Sequence, residues 1–172
     1  MPETPPLRRL LDLSEIHGLK ARYCRCIDTK QWRALEELFT VDARFEGFGS
    51  APTGANRETF VAGVSTRLAD AVSVHHCRMP EIEFIGPDEA RGIWAMEDYV
   101  DFPRGRDVAE APGQRGYRGY GHYEEAYRRD GETWRFTFLR LTRLRIDAVS
   151  QADPPPRPGR LSASTGWLGH GA

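Results

Sequence analysis

ARGIWAMEDYVDF, residues Ala90–Phe102, decides how this chain is read. Side chains two apart on a β-strand share a face, and the even positions here are Trp94, Met96, Asp98, Val100 and Phe102. Four of these five are large and apolar, so their face turns inward and takes Asp98 with it. The odd positions, Arg91, Ile93, Ala95, Glu97, Tyr99 and Asp101, form the wetter face. A buried carboxylate needs an ion partner, hydrogen-bond donors or a proton. Asp98 is therefore the first candidate for chemistry.

Outward from this strand the chain divides into helices before and strands after. Residues 1–11 read as a proline-containing arm. Asp12 with Glu15 resembles a capping box opening a helix, along which Ile16, Leu19, Tyr23, Cys26 and Ile27 recur at helical spacing. Trp32, Leu35, Leu38 and Phe39 form the stripe of a second helix, ARFEGFG (43–49) is a short strand, and Asn56 caps a third helix carrying Phe60, Val61, Val64 and Leu68. Val72–Cys77 and EIEFI (81–85) precede the Ala90 strand. A strand from Tyr117 to Arg129 turns at Asp130-Gly131 into another over Thr133–Ile146. There the apolar parity switches between Trp134/Phe136 and Leu139/Leu141, which predicts a bulge. This order predicts an α+β fold, a curved antiparallel sheet wrapped by three N-terminal helices around one cavity, with the domain over 12–149 and a Pro/Gly-rich tail over 150–172.

At 172 residues the chain is long enough for one core without staples. Its 24 basic and 25 acidic residues are interspersed, against a nucleic-acid or anionic-membrane surface, and no stretch approaches the ~20 apolar residues of a membrane helix. With no signal-like N-terminus and an odd count of three cysteines, the expectation is a cytoplasmic protein. Cys24 and Cys26 lie about 200° apart on a helix, which argues against a shared metal and for buried thiols. Phosphate loops, dinucleotide glycine fingerprints, zinc motifs and nucleophile elbows are absent, so no cofactor and no metal are expected.

Beside Asp98, the strand histidines His75 and His76 point to opposite faces, and only one can enter the cavity. Alternation favours His76, which shares parity with Val72 and Val74. A histidine paired with a buried acid is a capable general base or acid near neutral pH. Tyr23, on the apolar stripe of the first helix, reads as core or as a phenolic donor; Asp28 reads first as a cap of the second helix, and Arg143 as one charge of a basic strand edge.

Three segments, IHGLKARYCRCIDTKQWRALEELFTVDARF (16–45), VHHCRMPEIEFIGPDEARGIWAMEDYVDF (74–102) and GYGHYEEAYRRDGETWRFTFLRLTRLRID (119–147), resemble the SnoaL-like branch of the nuclear transport factor 2-like (cystatin-like) superfamily. The chain looks most like the bile acid 7α-dehydratases and, more distantly, scytalone dehydratase. Position by position, the resemblance implies a site of Tyr23, Asp28, His75, Asp98 and Arg143, and so selects His75 over His76. It implies cofactor-free acid–base chemistry: His75, paired with Asp98, removes a carbon proton, Tyr23, oriented by Asp28, donates to a carbonyl oxygen, and Arg143 orients an acid or a polar substrate end. The expected activity is a dehydratase-like lyase acting on an apolar polycyclic (steroid- or polyketide-like) hydroxy-carbonyl compound. The alternatives are a ketosteroid-type isomerase or polyketide cyclase in the same cavity, or a non-catalytic ligand-binding or assembly subunit. The expected partners are a hydrophobic small molecule and further copies of the chain, as a homodimer or homotrimer, through a sheet face rich in Trp94, Tyr120, Tyr123 and Trp134.

Overall fold

The alternation read in Ala90–Phe102 is the rule by which the sheet is built. The computed structural model describes residues 6–156. It contains, in order, α1 (Pro6–Asp28), α2 (Trp32–Glu36), β1 (Phe39–Glu46), α3 (Arg57–Leu68), β2 (Val72–Phe84), β3 (Glu89–Asp101), β4 (Gly116–Asp130) and β5 (Thr133–Val149). The five strands form one sheet in the order β1-β5-β4-β3-β2, antiparallel except for the parallel β1–β5 pair. One face of the curved sheet is covered by helices, with α1 against β2 and β5 and α3 against β1. Between them lie the buried Trp94, Met96, Val100, Tyr123, Tyr127 and Phe136 of the strands and Ile16, Leu19, Tyr23 and Ile27 of α1. The chain is thus α+β with a helix-covered, curved sheet. Among the described residues no helix is long and apolar enough to cross a membrane.

Several boundaries move. α1 starts at Pro6, so residues 6–11 are helical and Asp12 is no cap. Asp12 is buried and paired with Arg129 of β4, an interaction at long range that imitates a capping signal in sequence. The second helix is a single turn: Leu38 lies beyond it and Phe39 begins β1, because the parallel pairing of Phe39 with Phe136 claims that backbone. Asn56 caps α3 as expected, its side chain accepting from Thr59 N at 2.9 Å, and Phe60 stacks on Phe45 at 3.9 Å. Val72–Phe84 is one strand, broken by a register shift at Met79, whose φ is 47°. The bulge expected before Leu139 falls at Thr137, where Tyr127 pairs with Phe136 and Ala126 with Phe138.

Trp94, Tyr123 and Trp134 are buried among the core residues, not spread over an open sheet face, because the helices cover that side. Residues 150–156 begin as a turn anchored by Arg115, whose Nη1 donates to the Asp153 carbonyl at 2.6 Å. The remainder of the expected tail lies outside the described residues.

Candidate active site

Asp98 enters the interior as its parity requires and is 2% exposed. Its partner is Arg143, which comes from β5: Nη1 donates to Oδ1 and Nη2 to Oδ2, each at 2.7 Å. Gly119 of β4 lies opposite Asp98 in register and makes the bridge possible, since any Cβ there would be driven into the guanidinium. A glycine in a strand often marks such a close approach. Burial alone would pull the Arg143 guanidinium down, but the Asp98 carboxylate more than offsets it and holds Arg143 charged.

The expected pairing of His75 with Asp98 is not formed, although the two stand opposite one another in the β2–β3 register. His75 turns to α1. Its Nδ1 lies 2.6 Å from Asp28 Oδ1, and its backbone N–H donates to Asp28 Oδ2 at 2.8 Å. Ser73 Oγ also donates to Asp28 Oδ1, at 3.0 Å, and accepts in turn from Lys30 Nζ. Asp28 therefore does not cap α2, whose N-cap is Gln31. Nor does it orient Tyr23, as helical geometry explains: residues five apart on a helix point about 140° away from each other. A carboxylate at a helix C-terminus opposes the helix dipole, and here the donors from β2 compensate.

Alternation misread the histidines. Ser73, His75 and Cys77 face inward, while Val74 is 41% exposed on the outer side of this edge strand. The inner face of β2 is polar because Asp28 and Lys30 reach down to it.

His75, Asp98, Arg143 and Tyr23 border a common cavity of about 50 Å³, walled by Phe48, Tyr117, Tyr123 and Leu141 among others. Asp28 sits behind His75. Burial pushes the Tyr23 hydroxyl well above its ordinary pKa, so it stays a proton donor. Burial and then Asp98 push Tyr117 up to about 12. Arg67 of α3 pairs with Glu110 across the cavity mouth, joining α3 to the loop before β4. A wider groove of about 800 Å³ crosses the outer face of the sheet beside Glu83, Arg91, Ile93 and Phe138, and none of the five candidate residues borders it.

Two buried arrangements were not foreseen. Lys20 of α1 pairs with Glu125 of β4, Tyr127 donates to Glu125, and Trp94 Nε1 donates to the Tyr127 hydroxyl at 2.8 Å. Lys20 Nζ lies over the Tyr123 ring at 3.5 Å and the Tyr23 ring at 4.4 Å. Parity carried the signal: Glu125 alternates with Tyr123 and Tyr127, and Lys20 follows Ile16 by one helical turn. The Arg67–Glu110 pair left no such trace, since its partners sit in a helix and a loop. Among the described residues no cluster of three or more His, Cys, Asp or Glu is placed to hold a metal.

Residues 8–140 match the SnoaL-like domain family. A Gibberella zeae protein named "Probable cyclase FGR4" is 30% identical over 139 residues, covering 75% of this chain and 89% of that protein. Among solved structures, the type 2 hexachlorocyclohexane dehydrochlorinase LinA aligns with a TM-score of 0.71 at 18% identity, over 88% of this chain and 98% of the other. A protein provisionally named a scytalone dehydratase, from Novosphingobium aromaticivorans, aligns with a TM-score of 0.69 at 17% identity, over 86% and 98%.

Proposed function

The chain belongs to the SnoaL-like domain family, and from that premise we propose that it is a cofactor-independent carbon–oxygen lyase. Its substrate is an apolar ring compound bearing a hydroxyl and an activating carbonyl, as in the steroid- and polyketide-like molecules that bile acid and scytalone dehydratases act on. The observation that carries this reading is the His75–Asp28 pair facing Arg143 inside an aromatic-walled cavity. Asp28 accepts from Nδ1, which leaves Nε2 with its lone pair free to take a proton from the carbon beside the carbonyl. The Tyr23 hydroxyl, kept protonated by burial, donates to the carbonyl oxygen as it gains charge. The imidazolium then returns its proton to the departing hydroxyl. Arg143, held rigid by Asp98, binds that oxygen or another polar end of the substrate. Asp98 thus acts through Arg143, not through the histidine.

A cavity of about 50 Å³ is well below the ~300 Å³ at which ligand pockets begin. Substrate entry therefore requires the Phe48–Ser50 segment and the loop bearing Glu110 to part, and with them the Arg67–Glu110 pair. The cyclase name of the Gibberella zeae relative favours a second reading, ring closure using the same base and donor. The resting chain has unpaired cysteines, which fits a cytoplasmic location. A homodimer or homotrimer rests on the exposed aliphatics Ile93, Val74 and Leu144, and a strictly monomeric mass by light scattering would remove it.

The test is a screen of hydroxylated 3-oxo-4-ene steroids and polyketides, followed by ultraviolet absorbance and product mass. A lyase yields new conjugation and a product lighter by one water; ring closure by addition of the carbanion to a carbonyl of the same molecule keeps the mass and gives no such conjugation. His75→Gln is expected to abolish turnover. Full activity in that variant would end the base assignment.

A further inference from the structure

Behind the cavity, α1 and β2 bring two thiols together. Cys24 follows Tyr23 on α1, Cys77 lies two residues beyond His75 on the inner side of β2, and their Sγ atoms are 3.6 Å apart. Both are half-buried, and with His17, Lys20, His75 and Trp94 they border a second pocket of about 310 Å³, which meets the cavity at His75 and is wide enough for a small solute. Cys26 is 2% exposed and turns to the other side of α1. We propose that Cys24 and Cys77 are a peroxide-sensitive pair that closes into a reversible intramolecular disulfide. The proposal stands whether or not the cavity is a lyase site.

The roles of the two sulfurs follow from their surroundings. The contact with Cys77 and then burial raise the Cys24 thiol, while the same contact lowers Cys77 against the effect of burial. Of the two, Cys77 is thus the one that gives up its proton first, and it serves as the nucleophile. Its sulfur attacks one peroxide oxygen, the O–O bond breaks, and the departing hydroxide is protonated to water, leaving Cys77 as a sulfenic acid. The Cys24 sulfur then attacks the Cys77 sulfur; the S–O bond breaks, and hydroxide leaves with the Cys24 proton as a second water. Two thiols and one peroxide thus become one disulfide and two waters. An S–S bond is about 2.05 Å long, so the sulfurs must approach by roughly 1.5 Å. The approach falls on an edge strand next to its irregularity at Met79. Asp28 and His75 lie on the same two elements, so closure also moves the dyad.

The full-length protein is treated with hydrogen peroxide, quenched, denatured and alkylated, then weighed and peptide-mapped. The expected result is one alkylated cysteine, Cys26, with a Cys24–Cys77 cross-linked peptide, and three alkylated cysteines after dithiothreitol. Closing a chain segment of 53 residues is also expected to raise the thermal midpoint, by ~10 °C at the entropic ceiling. In Cys24→Ser the sulfenic acid on Cys77 has no resolving thiol and is trapped by dimedone; Cys24→Ala serves if the serine variant does not fold. Three alkylated cysteines after peroxide, oxidation centred on Cys26, or a cross-link between chains would each overturn the proposal.

Discussion

Replacing Asp98 by Asn keeps the shape of the side chain and removes its charge, leaving Arg143 to face Met96 Sδ at 4.0 Å and the Tyr117 ring at 5.4 Å. Neither substitutes for a carboxylate. At an effective dielectric of ~20 and ~4 Å between charge centres, the lost attraction is about 4 kcal/mol. Removing one member of a buried pair costs ~3–5 kcal/mol because the other stays buried and uncompensated. The Arg143 side chain is 21% exposed, so water recovers part of the loss and Asp98→Asn is expected near the lower end, ~3 kcal/mol. Arg143→Met strands the carboxylate, whose side chain is 2% exposed, and is expected to cost ~4 kcal/mol. The double variant Asp98→Leu/Arg143→Met removes both charges and is expected within ~1 kcal/mol of the original protein. Urea unfolding followed by circular dichroism reads these differences; with a slope of ~2 kcal/mol per molar, Asp98→Asn lowers the midpoint by ~1.5 M. The double variant is also expected to be folded and inactive, which separates the role of the pair at the site from its role in the core. If both single variants cost under ~1 kcal/mol and simply add, the pair is solvated and the inward reading of Asp98 is wrong.

Gly119→Ala drives a methyl group into the Arg143 guanidinium and is expected to cost roughly 1–3 kcal/mol and to shift the Arg143 side-chain nitrogen resonance; an unmoved resonance would show that the bridge does not cross Gly119. Arg67→Met unlatches the mouth and is expected to speed the binding of an apolar fluorophore several-fold in stopped flow, with little loss of stability, since a partly exposed pair contributes about 1 kcal/mol or less. Tyr23, Tyr123 and Tyr127 are held well above their ordinary pKa, and Tyr117 is pushed up to about 12, in each case first by burial. The unfolded chain loses these protons first, so stability falls as pH rises above ~10. Four of the six tyrosines should therefore contribute phenolate absorbance only as the fold opens, and their reversible ionisation near pH 10 with unchanged circular dichroism would contradict their burial.

What the chain reveals as a string is which side each residue faces; what it conceals is what that residue meets there. The β3 alternation put Asp98 inside, and the α3 stripe with its Asn56 cap was legible to the residue, because both depend on neighbours within a few positions. The angle between Tyr23 and Asp28 on one helix was equally readable and already spoke against their pairing. Partners across the sheet are of another kind. Arg143 is 45 residues from Asp98, and its arrival depends on the β3–β4 and β4–β5 registers, the latter containing two shifts. Each shift exchanges inside for outside over the rest of a strand, so counting by twos fails beyond it. Met79 does the same to β2, where Ser73, His75 and Cys77 face inward before the shift, and Ile82 and Phe84 pack against the core after it. Glycines offer a way around this. Gly119 and Gly121 interrupt the large inward residues of β4, and a missing Cβ on an inward position means that something from a neighbouring strand occupies its place. Read that way, GYGHY names β4 as the strand that Asp98 is bridged across and leaves the choice of cation on β5: parity with Leu139 and Leu141 admits Arg143 and Arg145 and rejects Arg140, and only the register shift at Leu144 turns Arg145 out into solvent.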